Sequence, residues 1–213
     1  MLLRRCTDNL AVLRLPLLAA VLILSGCAST GTSSSSGSTA EETTASDVPP
    51  QALTLFEQAA AVMAAGDLVD AELRFKEFLR RYPDYPGAYV NLAIIHINNG
   101  DEAAAQADLD AALALNPNHP AALNQQGMLF RRNGKFIEAE AAYLKAVTAA
   151  PDYALAHYNL GVLNELYLQR LDDALQHFEQ YQLLVGDDKQ VGKWIVDLRR
   201  RVAANLRTAN VAE

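Results

Sequence analysis

Histidine, cysteine and serine are the side chains through which this chain could hold a metal or attack a substrate. The histidines are His96, His119, His157 and His177, and no two fall at metal-ligand spacing on one helix face. The cysteines, Cys6 and Cys27, lie far from all four, and the serines crowd into an N-terminal stretch. Neither a G-x-S-x-G nucleophile turn nor a phosphate-cradling P-loop occurs. The expected chemistry is therefore neither catalysis nor metal binding, and no cofactor or small-molecule substrate is expected. What is left is the surface, and the surface depends on the elements that present it.

The chain has 213 residues, 51% apolar and 20% charged, which describes a folding chain with room for about one ordinary domain. Eighteen Lys+Arg against twenty-five Asp+Glu give a net charge of −7, the wrong sign for a nucleic-acid binder that works by bulk charge.

Residues 1–26 read as an address. Arg4, Arg5 and Arg14 precede a ten-residue apolar run, Leu15–Leu24, the length of a signal-peptide core and short of the ~20 residues a membrane span needs. The run ends in Leu24-Ser25-Gly26-Cys27, which resembles the bacterial lipobox, where the cysteine thiol receives diacylglycerol before cleavage. Cys27 is thus the expected lipidation site. Loss of residues 1–26 removes three Arg and one Asp, so the net charge becomes −7 − (3 − 1) = −9. By resemblance to envelope lipoproteins, the neutral Ala28 favours the outer membrane, on its periplasmic face. After the lipidated Cys27, most of positions 28–50 are Ser, Thr or Gly, a composition that reads as a flexible tether.

The remainder has an internal period. Pro83, Pro117 and Pro151 are evenly spaced, with 117 − 83 = 151 − 117 = 34. Gly66, Gly100 and Gly134 keep that step, and so do Ala71, Ala105 and Ala139. Asn91-Leu92-Ala93, Gln125-Gln126-Gly127 and Asn159-Leu160-Gly161 keep it as well. The small residues Ala59, Ala93, Gly127 and Gly161 on first helices, and Ala71, Ala105, Ala139 and Ala174 on second helices, are where paired helices can approach closely.

This pattern resembles the tetratricopeptide repeat (TPR), a helix–turn–helix unit. The resemblance implies an all-α solenoid, a right-handed superhelix of four repeats over 51–186, at 52–85, 86–119, 120–153 and 154–186. In the fourth, Ala174, Phe178 and Tyr181 come one residue late and the turn glycine is replaced near Gln169-Arg170, so one inserted residue is expected between its two helices. His96 and His157 occupy core-facing aromatic positions, and His177 precedes a core Phe. A capping helix is expected over 187–207, N-capped by Asp187 and burying Val191, Trp194, Ile195, Leu198 and Val202, with a disordered tail at 208–213. Arg199, Arg200 and Arg201 read as a solvated basic run or a contact for lipid phosphates or an acidic partner.

The resemblance also implies a concave groove lined by the first helices. Mapped onto this chain, its exposed positions are Leu53, Phe56, Ala60, Met63 and Ala64; Val90, Ile94, Ile97 and Asn98; Asn124, Met128, Arg131 and Arg132; and Leu155, Tyr158, Val162, Glu165 and Leu166. Such a groove is mainly apolar with two arginines in its middle, suited to an amphipathic helix or extended peptide carrying an acidic residue. Phe56 and Ala60 stand where chaperone-tail modules hold Lys and Asn, so that activity is not expected. In architecture the chain is similar to the TPR lipoproteins of type IV pilus biogenesis, pilotins that help a secretin assemble. That resemblance implies a non-enzymatic, lipid-anchored scaffold for an envelope complex. An adaptor for peptidoglycan hydrolases, or a self-associating structural protein, are the alternatives.

Overall fold

The structure is a computed structural model and describes residues 49–211, with side chains to Arg207. The expected signal peptide, Cys27 and all of the tether except Pro49-Pro50 lie outside the described residues. Nine α-helices follow one another among those described: α1 Pro50–Ala64, α2 Leu68–Arg81, α3 Pro86–Asn99, α4 Glu102–Leu115, α5 Pro120–Arg132, α6 Phe136–Ala149, α7 Ala154–Leu163, α8 Leu171–Val185 and α9 Lys189–Val211.

The helix ends follow from local chemistry. Proline opens α1, α3 and α5 in the first turn, where its missing N–H costs nothing. Asp67 and Asp101 cap α2 and α4 by accepting from the backbone N–H of Asp70 and Ala104, each at 3.0 Å. Pro83, Pro117 and Pro151 come two residues after the ends of α2, α4 and α6, where no further helical bond can form. Gly66, Gly100 and Gly134 turn the corner inside each of the first three repeats with φ of 90°, 78° and 73°, a left-handed conformation that side chains resist.

Each repeat pairs its two helices, and each second helix then packs on the first helix of the next repeat. The first helices α3, α5 and α7 also pack directly on one another and form one row. Between paired helices the small positions are fully buried: Ala59 against α2, Ala93 against α4, and Ala71, Ala105, Ala139 and Ala174 from the other side. Large rings fill the space they leave, Phe75 in repeat one, Tyr143 in repeat three and Phe178 in repeat four, each with no solvent exposure.

Repeat four absorbs its extra residue inside the first helix rather than between the helices. Asn164–Leu168 form one π-helical turn at the end of α7, and Gln169 follows with φ 55°. Gln169 is Gly134 plus 35, so it stands at the corner where the other repeats use glycine, and a non-glycine residue there costs about 1–2 kcal/mol. The Asn164 amide donates to the Leu160 carbonyl at 3.0 Å, and Tyr167 stacks on Phe136 of α6 at 4.7 Å, which hold the widened turn in place.

The cap is present, with two corrections. Its N-cap is Asp188, which accepts from Gln190 N–H at 2.9 Å and Val191 N–H at 3.1 Å, not Asp187. The helix also runs to Val211, into the stretch expected to be tail; residues 212–213 lie outside the described ones. Val191, Ile195 and Leu198 are buried with Ala174 and Phe178, and Trp194 packs half-buried on Tyr158 and Phe178. These residues close the core that repeat four would otherwise leave open.

Candidate functional site

The row of first helices carries every expected groove residue, but packing divides them. Two are inside the protein. Val90 is 4% exposed in the cluster of Ala93, Leu109, Ala112, Ala122 and Leu129, because α3 leans on α5 there. Asn124 is 1% exposed, and its carbonyl oxygen accepts from the Asn159 amide at 2.9 Å across the α5–α7 contact. Neither side chain can meet a partner, which corrects their expected place on the surface. A buried amide pair of this kind sets the register of α7 on α5.

At the two ends of the row Leu53, Leu155 and Leu166 stay exposed, at 51%, 52% and 59%, while the other large side chains are committed. Phe56 turns edge-on to Phe75 and Phe78 at 5.6 and 5.8 Å, and Met63 packs partly against the same core. Tyr158 and Val162 pack against the core that α9 completes. Glu165 accepts from Arg201 of α9 at 2.7 Å, so its carboxylate is already paired.

The middle remains open. Ile94, Ile97, Met128 and Arg131 are half-buried, and Arg132 is exposed. Arg132 reaches back across repeats to the Ile97 carbonyl at 3.3 Å and Glu102 at 3.6 Å. Arg131 has no ion pair among the described residues. The open surface is thus an apolar step of Ile94, Ile97 and Met128 beside one unpaired guanidinium, spanning repeats two and three. It is narrower than the groove read from the sequence. Its Arg131 offers a bidentate fork to a carboxylate, in a half-buried setting that strengthens such a contact. Outside this row, a cleft of about 330 Å³ opens between α1 and α2, lined by Leu55, Gln58, Leu73, Arg74, Glu77, Phe78 and Arg81.

The histidines are structural connectors. His96 bridges two repeats, its Nδ1 2.7 Å from Asp108 of α4 and its Nε2 3.6 Å from Glu72 of α2. Burial pushes the Asp108 carboxyl above its ordinary range, and the His96 contact offsets part of that. His157 and His177 meet ring to ring, Nδ1 to Nδ1 at 3.2 Å, with His157 Nε2 donating to the Pro151 carbonyl at 3.1 Å. That donation leaves neutral His157 an acceptor at Nδ1, so His177 supplies the proton between them. Their separation along the chain, on two different helices, hid this pair from the sequence. No group of three or more metal-ligating side chains forms among the described residues.

Two of these imidazoles make the fold sensitive to acid. Burial, and for His177 the neighbouring His157, hold His177 and His119 below the ordinary 6.5. His119 also caps α5 through Nδ1, which accepts from the Ala122 N–H at 3.2 Å and loses that role once protonated. Both groups bind protons more readily in the unfolded chain, so their contribution is complete above pH 6.5 and is lost as the pH falls through the lower folded values. The urea midpoint should therefore drop as the pH falls below the ordinary 6.5. A His119→Asn, His177→Gln variant should show a shallower drop; a drop of unchanged depth would assign it to the carboxylates instead.

Comparison with known proteins agrees with this architecture. Models of the tetratricopeptide repeat match residues 62–127 and 124–188, together spanning 62–188 of the 213. Over 57 residues, 27% of this chain, it is 42% identical to the human protein O-mannosyl-transferase TMTC2. The chain spans 7% of that protein and less than half the length of the other curated relatives it matches. Among solved structures, PilF of Pseudomonas aeruginosa superposes with a TM-score of 0.64 at 20% identity, over 73% of this chain and 70% of that one. The first TPR domain of Spaghetti (RPAP3), bound to an HSP90 peptide, superposes with a TM-score of 0.51 at 18% identity, over 55% of this chain and 95% of that one. At these identities the structures speak for the fold alone. With the constant repeat step, the paired helices and both repeat models in agreement, the chain belongs to the tetratricopeptide-repeat family.

Proposed function

We propose that this protein is a non-enzymatic scaffold that holds a segment of a protein partner on the step formed by Ile94, Ile97, Met128 and Arg131. The single observation behind this reading is that apolar step beside an arginine with no ion pair among the described residues. Repeats of this family generally bind protein partners, and the HSP90 peptide bound by the RPAP3 domain is one instance on a similar fold. The partner segment that fits is short and apolar with one carboxylate for Arg131.

The cellular setting in this proposal comes from the sequence. The lipobox-like Leu24–Cys27 and the Ser/Thr-rich tether support a chain anchored by lipid on Cys27 at the periplasmic face of the outer membrane. There it assists assembly of an envelope complex, in the manner of the type IV pilus lipoproteins it resembles, and PilF shares the fold that this reading needs.

In-cell crosslinking from a photoreactive residue at Met128 tests the reading. A secretin or pilus component in the adduct is the expected result. A wall hydrolase would replace the pilus setting, and self-adducts alone would overturn the client groove. For the surface itself, Ile97→Glu should weaken partner binding at least about tenfold, since burying an unpaired carboxylate in an apolar contact costs more than about 1.4 kcal/mol. Helicity by circular dichroism should stay unchanged, because Ile97 lies outside the buried clusters.

A further inference from the structure

The described part of the chain is polarised in charge. Residues 49–188 hold nine Lys and Arg against nineteen Asp and Glu, a net of 9 − 19 = −10. The terminal helix α9 holds Lys189, Lys193, Arg199, Arg200, Arg201 and Arg207 against Asp197 alone, a net of 6 − 1 = +5. The sign reverses at the boundary of one element.

These cations divide into two sets. Arg199 donates twice to Glu179 of α8, at 2.9 and 2.7 Å, and Arg201 reaches Glu165 at 2.7 Å, so both serve to hold the helix on repeat four. The others face outward. Lys189, Lys193, Arg200 and Arg207 follow at steps of four, seven and seven, with Val196 between the second and third. At 3.6 residues per turn they fall within about one-sixth of the helix circumference and run along it for about 27 Å. All four are exposed. Lys189, Lys193 and Arg207 make no ion pair among the described residues, and Arg200 is held only by Asp197 of its own helix, at 2.5 Å. Val196 is 67% exposed on the same stripe.

We infer that the outer face of α9 is a docking surface for the anionic headgroups of a phospholipid membrane. A straight stripe of separate, long-stemmed cations meets a plane of phosphates at every position at once, while the stems of Lys and Arg lie along the interface. The exposed valine adds apolar contact at the headgroup level, as in helices that lie on a membrane. The acidic body is repelled by the same plane, so the charge division also orients the molecule, with α9 toward the lipid. This inference concerns a face other than the groove and stands whether or not the groove takes a client.

The test uses the full chain mixed with vesicles of phosphatidylcholine alone, or with about one-third phosphatidylglycerol, and reads the acetylation rate of each lysine by a water-soluble reagent. On anionic vesicles Lys189 and Lys193 should react roughly fivefold more slowly, from the ~1 kcal/mol that each cation gains at such a surface. Lys135 and Lys145 on the body should keep their rates, and high salt should abolish the slowing. Equal rates on both vesicles would overturn the inference. The variant Arg200→Glu, Arg207→Glu leaves both reporter lysines and the buried face of α9 intact. It should remove the slowing, and slowing that persists would also overturn the inference. Slowing by soluble polyglutamate but not by anionic vesicles would replace the membrane with an acidic protein.

Discussion

Phe178→Ala should cost about 3–5 kcal/mol and detach the C-terminal end of the solenoid before the first two repeats unfold. The Phe178 ring of α8 has no solvent exposure and touches two other helices: it lies over Gly161 of α7, 6.0 Å from the Tyr158 ring, and 5.5 Å from the Trp194 ring of α9. Alanine there removes a fully buried ring that α7, α8 and α9 share. In a stack whose units touch only their neighbours, that loss stays at the end. Trp194, the single tryptophan, reports on this end, whereas far-ultraviolet circular dichroism reports on all helices. In urea the variant's Trp194 fluorescence should change well before its helicity does. Coincident transitions shifted together would mean that the array unfolds as one unit and that the local argument is wrong.

Gly127→Ala should be the second large effect, and with the opposite sign to helix propensity. Alanine in a helix interior is favoured over glycine by about 1 kcal/mol. At this position, however, a Cβ would meet three ring carbons of Tyr143 at 2.5, 2.7 and 2.9 Å. The ring is fully buried, so it cannot swing away, and overpacking of this kind costs about 1–3 kcal/mol. The net expectation is a loss of up to about 2 kcal/mol. Tyr143→Leu should relieve the clash, so the two substitutions combined should cost about 1 kcal/mol less than their sum. Thermal unfolding of the four proteins of this cycle measures it. A Gly127→Ala protein that melts higher than its parent would refute the close-contact account. Tyr143 brings a second signature: its hydroxyl is buried without a partner among the described residues and its pKa is pushed up to about 12 by burial, so it stays a neutral phenol across the working range.

Much of this architecture can be read along the chain because its causes are local. A proline two residues after α2, α4 and α6, a glycine at the corners 66, 100 and 134, and an alanine or glycine where helices cross each act through their own backbone or Cβ. Repetition at a constant step then multiplies a weak local signal into a firm one. The one-residue delay of Ala174 and Phe178 reveals the insertion in repeat four by the same means.

Contacts between repeats are not legible in this way. Val90 and Asn124 occupy positions that the family pattern leaves exposed, yet the lean of α3 on α5 and of α5 on α7 buries them. Glu165 looks like a groove carboxylate until α9 folds back and Arg201 claims it. The basic run 199–201 reads as one patch, but a helix turns about 100° per residue, which sends Arg199 to Glu179, Arg201 to Glu165 and Arg200 outward. The His157–His177 pair, and the choice of a π-turn over a longer loop for the inserted residue, belong here too. By itself the sequence determined the number, order and pairing of the helices and which residues the row of first helices carries. The tertiary structure alone decided which residues of that row stay open and which cations stay free. The reason is that both depend on the small angle between successive repeats, and that angle follows from how whole side chains interlock across helices rather than from any residue's local preference.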